Sequence, residues 1–109
     1  MTIVVNGITT VTPCRNTAIS LTLDVNDFRI NVTDTSAART ITIPSGVVAT
    51  RGKTYEVVDT SGAAGLVNVI IDTAGAEKVN GQDSITGITA NYGQCKIVSD
   101  GTNWTATEF

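Results

Sequence analysis

The chain has 109 residues with a net charge of −3, 41% apolar, 5% aromatic and 16% charged side chains, which is material for one domain (residues 1–109) around a single core. Its 19 Thr, 13 Val and 11 Ile stand against 3 Leu; branching at Cβ disfavours helices and fits a pleated surface, so a helical bundle is not expected. There is no His, and the seven Lys and Arg are scattered, which removes imidazole acid–base chemistry, imidazole metal ligation and any field that would draw nucleic acid.

Alternation with a period of two runs through nearly the whole chain, as in strands. Ile3-Val4-Val5 and Ile8-Thr9-Thr10-Val11 flank Asn6-Gly7. That pair tolerates positive φ at both central positions of a type I′ turn and predicts a hairpin. Pro13 stops its second strand, because it cannot donate to a ladder. Residues 18–23 alternate as a half-buried strand, and 24–27 are polar and turn-like. The next strand covers 28–33, with Phe28, Ile30 and Val32 inward, and 34–38 form a loop. Residues 39–43 place Ile41 and Ile43 on one face, and Pro44-Ser45-Gly46 ends that strand.

Further along, 53–59 read as a strand with Tyr55 and Val57 on one face, followed by a glycine-rich turn over 60–65. Residues 66–72 are apolar on both faces, with Leu66 and Ile70 opposite Val67, Val69 and Ile71, which predicts a central or doubly covered strand. Lys78-Val79 is a short strand at best, and Gly87 interrupts 84–89 as a bulge. Residues 94–99 pair with 104–107 through Asp100-Gly101-Thr102-Asn103 as a second hairpin. The sum is about nine or ten short strands and no helix over two turns. It describes an all-β fold, an antiparallel β-sandwich or barrel-like form of the jelly-roll or Greek-key type. Edges of such sheets are normally guarded by Lys, Pro or inward charges. With few charges and two Pro, the edges are expected to be buried against other copies in a closed homo-oligomer.

Little chemistry is on offer. Cys14 and Cys95 read as two half-buried reduced thiols; a disulfide would need their Cα atoms within about 7 Å. Cys95 and Lys96 are neighbours on a strand and so point to opposite faces, which argues against a Cys–Lys couple. Asp24, Asp27, Asp34, Asp59, Asp72, Glu77, Asp83, Asp100 and Glu108 fall almost entirely in turns or at strand ends. There a carboxylate commonly accepts local backbone hydrogen bonds, so a glycosidase pair is not expected. Asp24-Val25-Asn26-Asp27 offers oxygen ligands for Ca²⁺ but lacks the EF-hand spacing. No phosphate-cradling glycine loop appears, and no cofactor is expected. No apolar run is long enough to span a membrane, and no basic segment followed by a long apolar stretch opens the chain.

Several segments together carry a likeness. They are Asp34-Thr35-Ser36-Ala37-Ala38-Arg39-Thr40-Ile41-Thr42-Ile43-Pro44, Gly52-Lys53-Thr54-Tyr55-Glu56-Val57-Val58-Asp59-Thr60-Ser61-Gly62, Asn68-Val69-Ile70-Ile71, Gly75, Asn80-Gly81, Tyr92-Gly93 and Val98-Ser99-Asp100-Gly101-Thr102-Asn103-Trp104. Over roughly residues 28–106 the chain resembles a β-module of tailed-bacteriophage virion proteins, which occurs in tail fibres, tailspikes, head fibres and small capsid decoration (cement) proteins. The resemblance implies a virion structural protein, commonly trimeric, with neither catalysis nor cofactor.

Among such roles a chain this short, with only 1–27 outside the module, fits a decoration protein. It would be made in the bacterial host cytoplasm. As a trimer it would bind the major capsid protein on the outer surface of the head and stabilise the shell. The hairpin of residues 1–12 lies outside the module. Its Ile3, Val4, Val5, Asn6, Gly7 and Ile8 are expected to make the capsid or inter-subunit contact. The alternative is a receptor- or carbohydrate-binding module of a tail fibre or tailspike, with Tyr92 and Trp104 as the glycan contacts.

Overall fold

The structure is a computed structural model and describes residues 2–5, 8–11, 14–46 and 50–109. Every regular element among them is a strand: β1 (Thr2–Val5), β2 (Ile8–Val11), β3 (Cys14–Thr17), β4 (Leu21–Thr22), β5 (Arg29–Val32), β6 (Arg39–Ile43), β7 (Thr54–Asp59), β8 (Val69–Thr73), β9 (Ser84–Ile88), β10 (Gln94–Ser99) and β11 (Trp104–Glu108). No helix of the described residues is long and apolar enough to cross a membrane. β1 and β2 pair antiparallel with Val5 opposite Ile8, as a two-residue connection requires; the Asn6-Gly7 turn and Pro13 lie outside the described residues.

Nine strands form two sheets, one ordered β11-β10-β7-β5-β3 and the other β4-β6-β8-β9. Here the expectation of antiparallel pairing is corrected. Of the seven pairings within these sheets, four are parallel: β3 with β5, β5 with β7, β4 with β6 and β6 with β8. A jelly-roll or Greek-key order, which needs antiparallel neighbours, is not what this strand order displays. From β3 to β8 the chain instead winds, laying one strand in the first sheet and the next in the second, three times over. Parallel neighbours need a crossover, and here each crossover contains the strand of the opposite sheet. The result is a short solenoid-like stack in which each coil rests on the one before. β9 then folds back on β8, and β10 and β11 fold back on β7, so antiparallel strands close the C-terminal end of the stack.

Register turns the alternation of the sequence into rows across the sheets. In the larger sheet Arg15, Ile30, Val57, Cys95 and Glu108 are successive partners, and in the smaller Leu21, Ile41, Ile71 and Ile85 are. The apolar members of these rows meet in one core, with Val32, Ile43, Tyr55, Val69, Ile88, Ile97 and Trp104. The Tyr55 and Trp104 rings lie 5.7 Å apart, tilted by 40°. Ile30 and Val32 are buried as expected, whereas Phe28 is only half-buried. β8 is central as expected, but Leu66 lies outside it and is 87% exposed. Gly87 is the extra residue of the β8–β9 pairing, where the register jumps between Val69–Ile88 and Ile70–Thr86. A Cβ on Gly87 would run into the Ile71 side chain.

The row in the larger sheet has a charge at each end, and this bears on the edges. Arg15 shares the inner row with Ile30 but turns to Asp27, donating Nε–H to Oδ1 at 2.8 Å and Nη2–H to Oδ2 at 2.6 Å. Glu108 shares the same row on β11 and accepts from Thr89 and Ala90. A charge on an edge strand disfavours a further apolar strand. β4 is only two residues long, and β9 carries the Gly87 bulge. The outer strands of the two larger sheets thus each carry a feature that disfavours a further strand.

Candidate functional site

At the end of the stack where β5 and β7 finish, one buried carboxylate ties two loops. Asp59 is fully buried. Its Oδ1 accepts from Ser61 N–H (3.0 Å), Ser61 O–H (2.5 Å) and Gly62 N–H (3.1 Å), and its Oδ2 accepts from Ala64 N–H (3.0 Å) and Tyr92 N–H (3.1 Å). Burial pushes its pKa up, but the Ser61 hydroxyl and the Ala64, Tyr92 and Gly62 amides outweigh burial and hold it below the ordinary value. A second tie joins the same loops, from Gly65 N–H to Asn91 Oδ1 at 2.8 Å.

The clamp holds Tyr92 at φ 57°, a left-handed conformation uncommon for a bulky residue, with its ring against Gly62. Tyr92 stays 69% exposed, as does Phe109 at 65%. Trp104, by contrast, is 1% exposed. The expectation that Tyr92 and Trp104 together contact a glycan is corrected: Trp104 belongs to the core, packed on Tyr55, and has no face left for a sugar.

The opposite end gathers Arg15, Asp24, Asp27, Lys53 and Tyr55. Both Asp27 carboxylate oxygens are occupied by Arg15, and Asp24 N–H adds a bond of 2.7 Å to Oδ2. Asp24 Oδ1 accepts from Asn26 N–H at 3.0 Å. Lys53 donates to the Asp27 carbonyl at 3.1 Å and lies 4.8 Å from the Tyr55 ring centroid, and Tyr55 O–H donates to the Asp24 carbonyl at 3.1 Å. The Asp24–Asp27 cluster is thus a corner brace rather than a Ca²⁺ cradle. No group of three or more His, Cys, Asp or Glu among the described residues could hold a metal ion.

Asp34 and Asp100 follow the turn-capping pattern expected from their positions. Asp34 accepts from Ser36 N–H (2.8 Å), Asp72 from Thr73 N–H (2.9 Å), and Asp100 from Thr102 and Asn103 N–H (both 2.8 Å). Asp83 pairs with Lys78. The thiols are not two of a kind. Cys14 is exposed, Cys95 is buried and both are free. Burial, and then the nearby Glu108 charge, push the Cys95 thiol to about 11, and Lys96 is exposed on the other face of β10.

Of the expected contact residues, Ile3, Val4 and Val5 lie in β1 and Ile8 in β2, while Asn6 and Gly7 lie outside the described residues. Among the described residues, the ribbon β1–β2 forms a two-stranded sheet separate from the two larger ones. No protein-family model matches the chain, and no curated protein matches it either.

Proposed function

We propose that this protein is a virion structural protein, a capsid decoration protein that binds the outer surface of a tailed-phage head as a trimer and stabilises the shell. The observation that carries this reading is the β1–β2 ribbon, which pairs with neither sheet of its own chain. A lone two-stranded ribbon is marginal in water. Five of its eight strand residues are Ile or Val, the composition of a segment that is stable when laid against another surface. The rest of the chain spends its carboxylates on turns and corners, which suits a rigid plug with a docking arm. The likeness of residues 28–106 to phage virion modules supports the same reading and supplies the partner, the major capsid protein.

Stabilisation would come from mass action. A trimer presents three arms, and simultaneous engagement multiplies weak contacts by effective concentration. Whatever binds the intact shell and not the ruptured one raises the free energy of rupture. Heads carrying the protein are therefore expected to release their DNA at a higher temperature than heads stripped of it, and adding purified protein back should restore the difference. Equal release temperatures would reject the role.

A further inference from the structure

The second Asn-Gly pair of the chain, Asn80-Gly81, has φ values of 51° and 78°, both left-handed. It closes a tight turn in which Val79 N–H donates to the Gln82 carbonyl at 2.8 Å and Gln82 N–H to the Val79 carbonyl at 2.9 Å. The turn carries the Asn80 side chain to the outer edge of β11. There Asn80 Nδ2–H donates to the Ala106 carbonyl at 3.0 Å, and Ala106 N–H donates to Asn80 Oδ1 at 2.9 Å. Beside it, Asn80 N–H donates to the Trp104 carbonyl at 3.0 Å and Trp104 N–H to the Lys78 carbonyl at 2.8 Å. One primary amide thus stands in for a neighbouring strand at Ala106. Asn meets both demands of the position. Gly accepts the left-handed φ but has no side chain, and Asp accepts it more readily than most residues but has no donor.

We propose that Asn80 is a hydrolytic latch: its amide closes the outer edge of β11, and deamidation through the Gly81 nitrogen opens that edge to strand pairing. Asn80 is exposed to solvent, and Gly81 has no side chain to hinder approach to its nitrogen. The Gly81 backbone nitrogen bonds to Cγ of Asn80. The Cγ–Nδ2 bond breaks, and Nδ2 leaves as ammonia with the proton from Gly81. Water then opens the five-membered imide at one of its two carbonyls, giving aspartate or isoaspartate, with no change of oxidation state. Either product places an anionic acceptor where the Ala106 carbonyl had a donor. Repulsion between that anion and the Ala106 carbonyl turns the side chain away, so both bonds at Ala106 are lost and its N–H and carbonyl join the exposed edge, a template for another strand. The bonds to Ala106 restrain the amide, so conversion is slower in the folded chain than in an unfolded one.

The full-length protein, held in mildly alkaline buffer, tests this by peptide mapping of residue 80 and hydrogen exchange at Ala106. Both are read on the isolated protein, independently of any role on a phage head. Residue 80 is expected to convert more slowly than in urea, and the converted protein to exchange at Ala106 roughly tenfold faster or more, as one lost hydrogen bond implies. Asn80→Asp should reproduce the faster exchange. Asn80→Gly, which keeps the turn and cannot deamidate at that position, should do so with no change of mass on ageing in the peptide that contains residue 80. Absence of conversion in the folded protein while the urea-treated chain converts fully would overturn the proposal, and so would unchanged Ala106 exchange after conversion and in both variants.

Discussion

Replacing Asp59 by Asn is expected to destabilise the fold by about 3–5 kcal/mol, a large part of the about 5–15 kcal/mol that holds a small domain together. The carboxylate is buried and receives five donors, four of them backbone amides or a hydroxyl fixed by the turn over 59–64 and one from Tyr92. An Asn in its place keeps one acceptor oxygen and turns an NH₂ group toward donors. The effect has a characteristic pH profile. The folded pKa of Asp59 lies below its ordinary value. Its stabilisation is therefore fully present above the unfolded value of about 3.9 and is lost as pH falls through the folded one. Urea unfolding followed by the fluorescence of buried Trp104 should give the largest gap between the wild-type protein and Asp59→Asn near neutral pH. The gap should shrink below about pH 4. A gap independent of pH would mean that the carboxylate charge is not what the loops are built around.

Deleting residues 1–12 is expected to lower apparent affinity for phage heads by about 100-fold or more, since a multivalent binder loses avidity together with its contacts. The remaining chain should fold as before, because among the described residues β1 and β2 form a sheet apart from the two larger ones. Co-sedimentation with stripped heads measures the first effect, and the urea midpoint measures the second. Unchanged co-sedimentation would take the contact away from Ile3, Val4, Val5 and Ile8 and give it to another surface of the stack.

Period-two alternation made most strands legible, among them residues 39–43, 94–99 and 104–107, and the Gly87 bulge was readable because a lone glycine breaks that alternation. Strand direction was not legible. Side chains alternate across a strand whether its neighbour is parallel or antiparallel, so Ile30, Ile41, Val57 and Ile71 read the same in either. What distinguishes the two is connection. Between β3 and β8 no two-residue turn joins consecutive strands, whereas 80–81 and 100–103 do turn the chain sharply, and within the two larger sheets antiparallel pairing appears only with the strands after β8. β3 was missed because Cys14-Arg15-Asn16 is polar and exposed, with Arg15 turned to Asp27 rather than to the core. Trp104 followed a turn rich in polar residues and looked available for a ligand. Its pairing opposite Ser99 instead directs the indole into the core against Tyr55. Asn80-Gly81 carried a turn signal of the same kind as Asn6-Gly7, but the partner of its side chain, Ala106, is 26 residues away and had no local signature.

The most direct test of a shell-binding role is to mix the purified chain with heads stripped of their small outer proteins and to image the particles by electron cryomicroscopy. Added density is expected on the outer capsid surface, repeated at equivalent positions and attached through the N-terminal ribbon. Density confined to the tail, or bare heads at saturating protein, would contradict it.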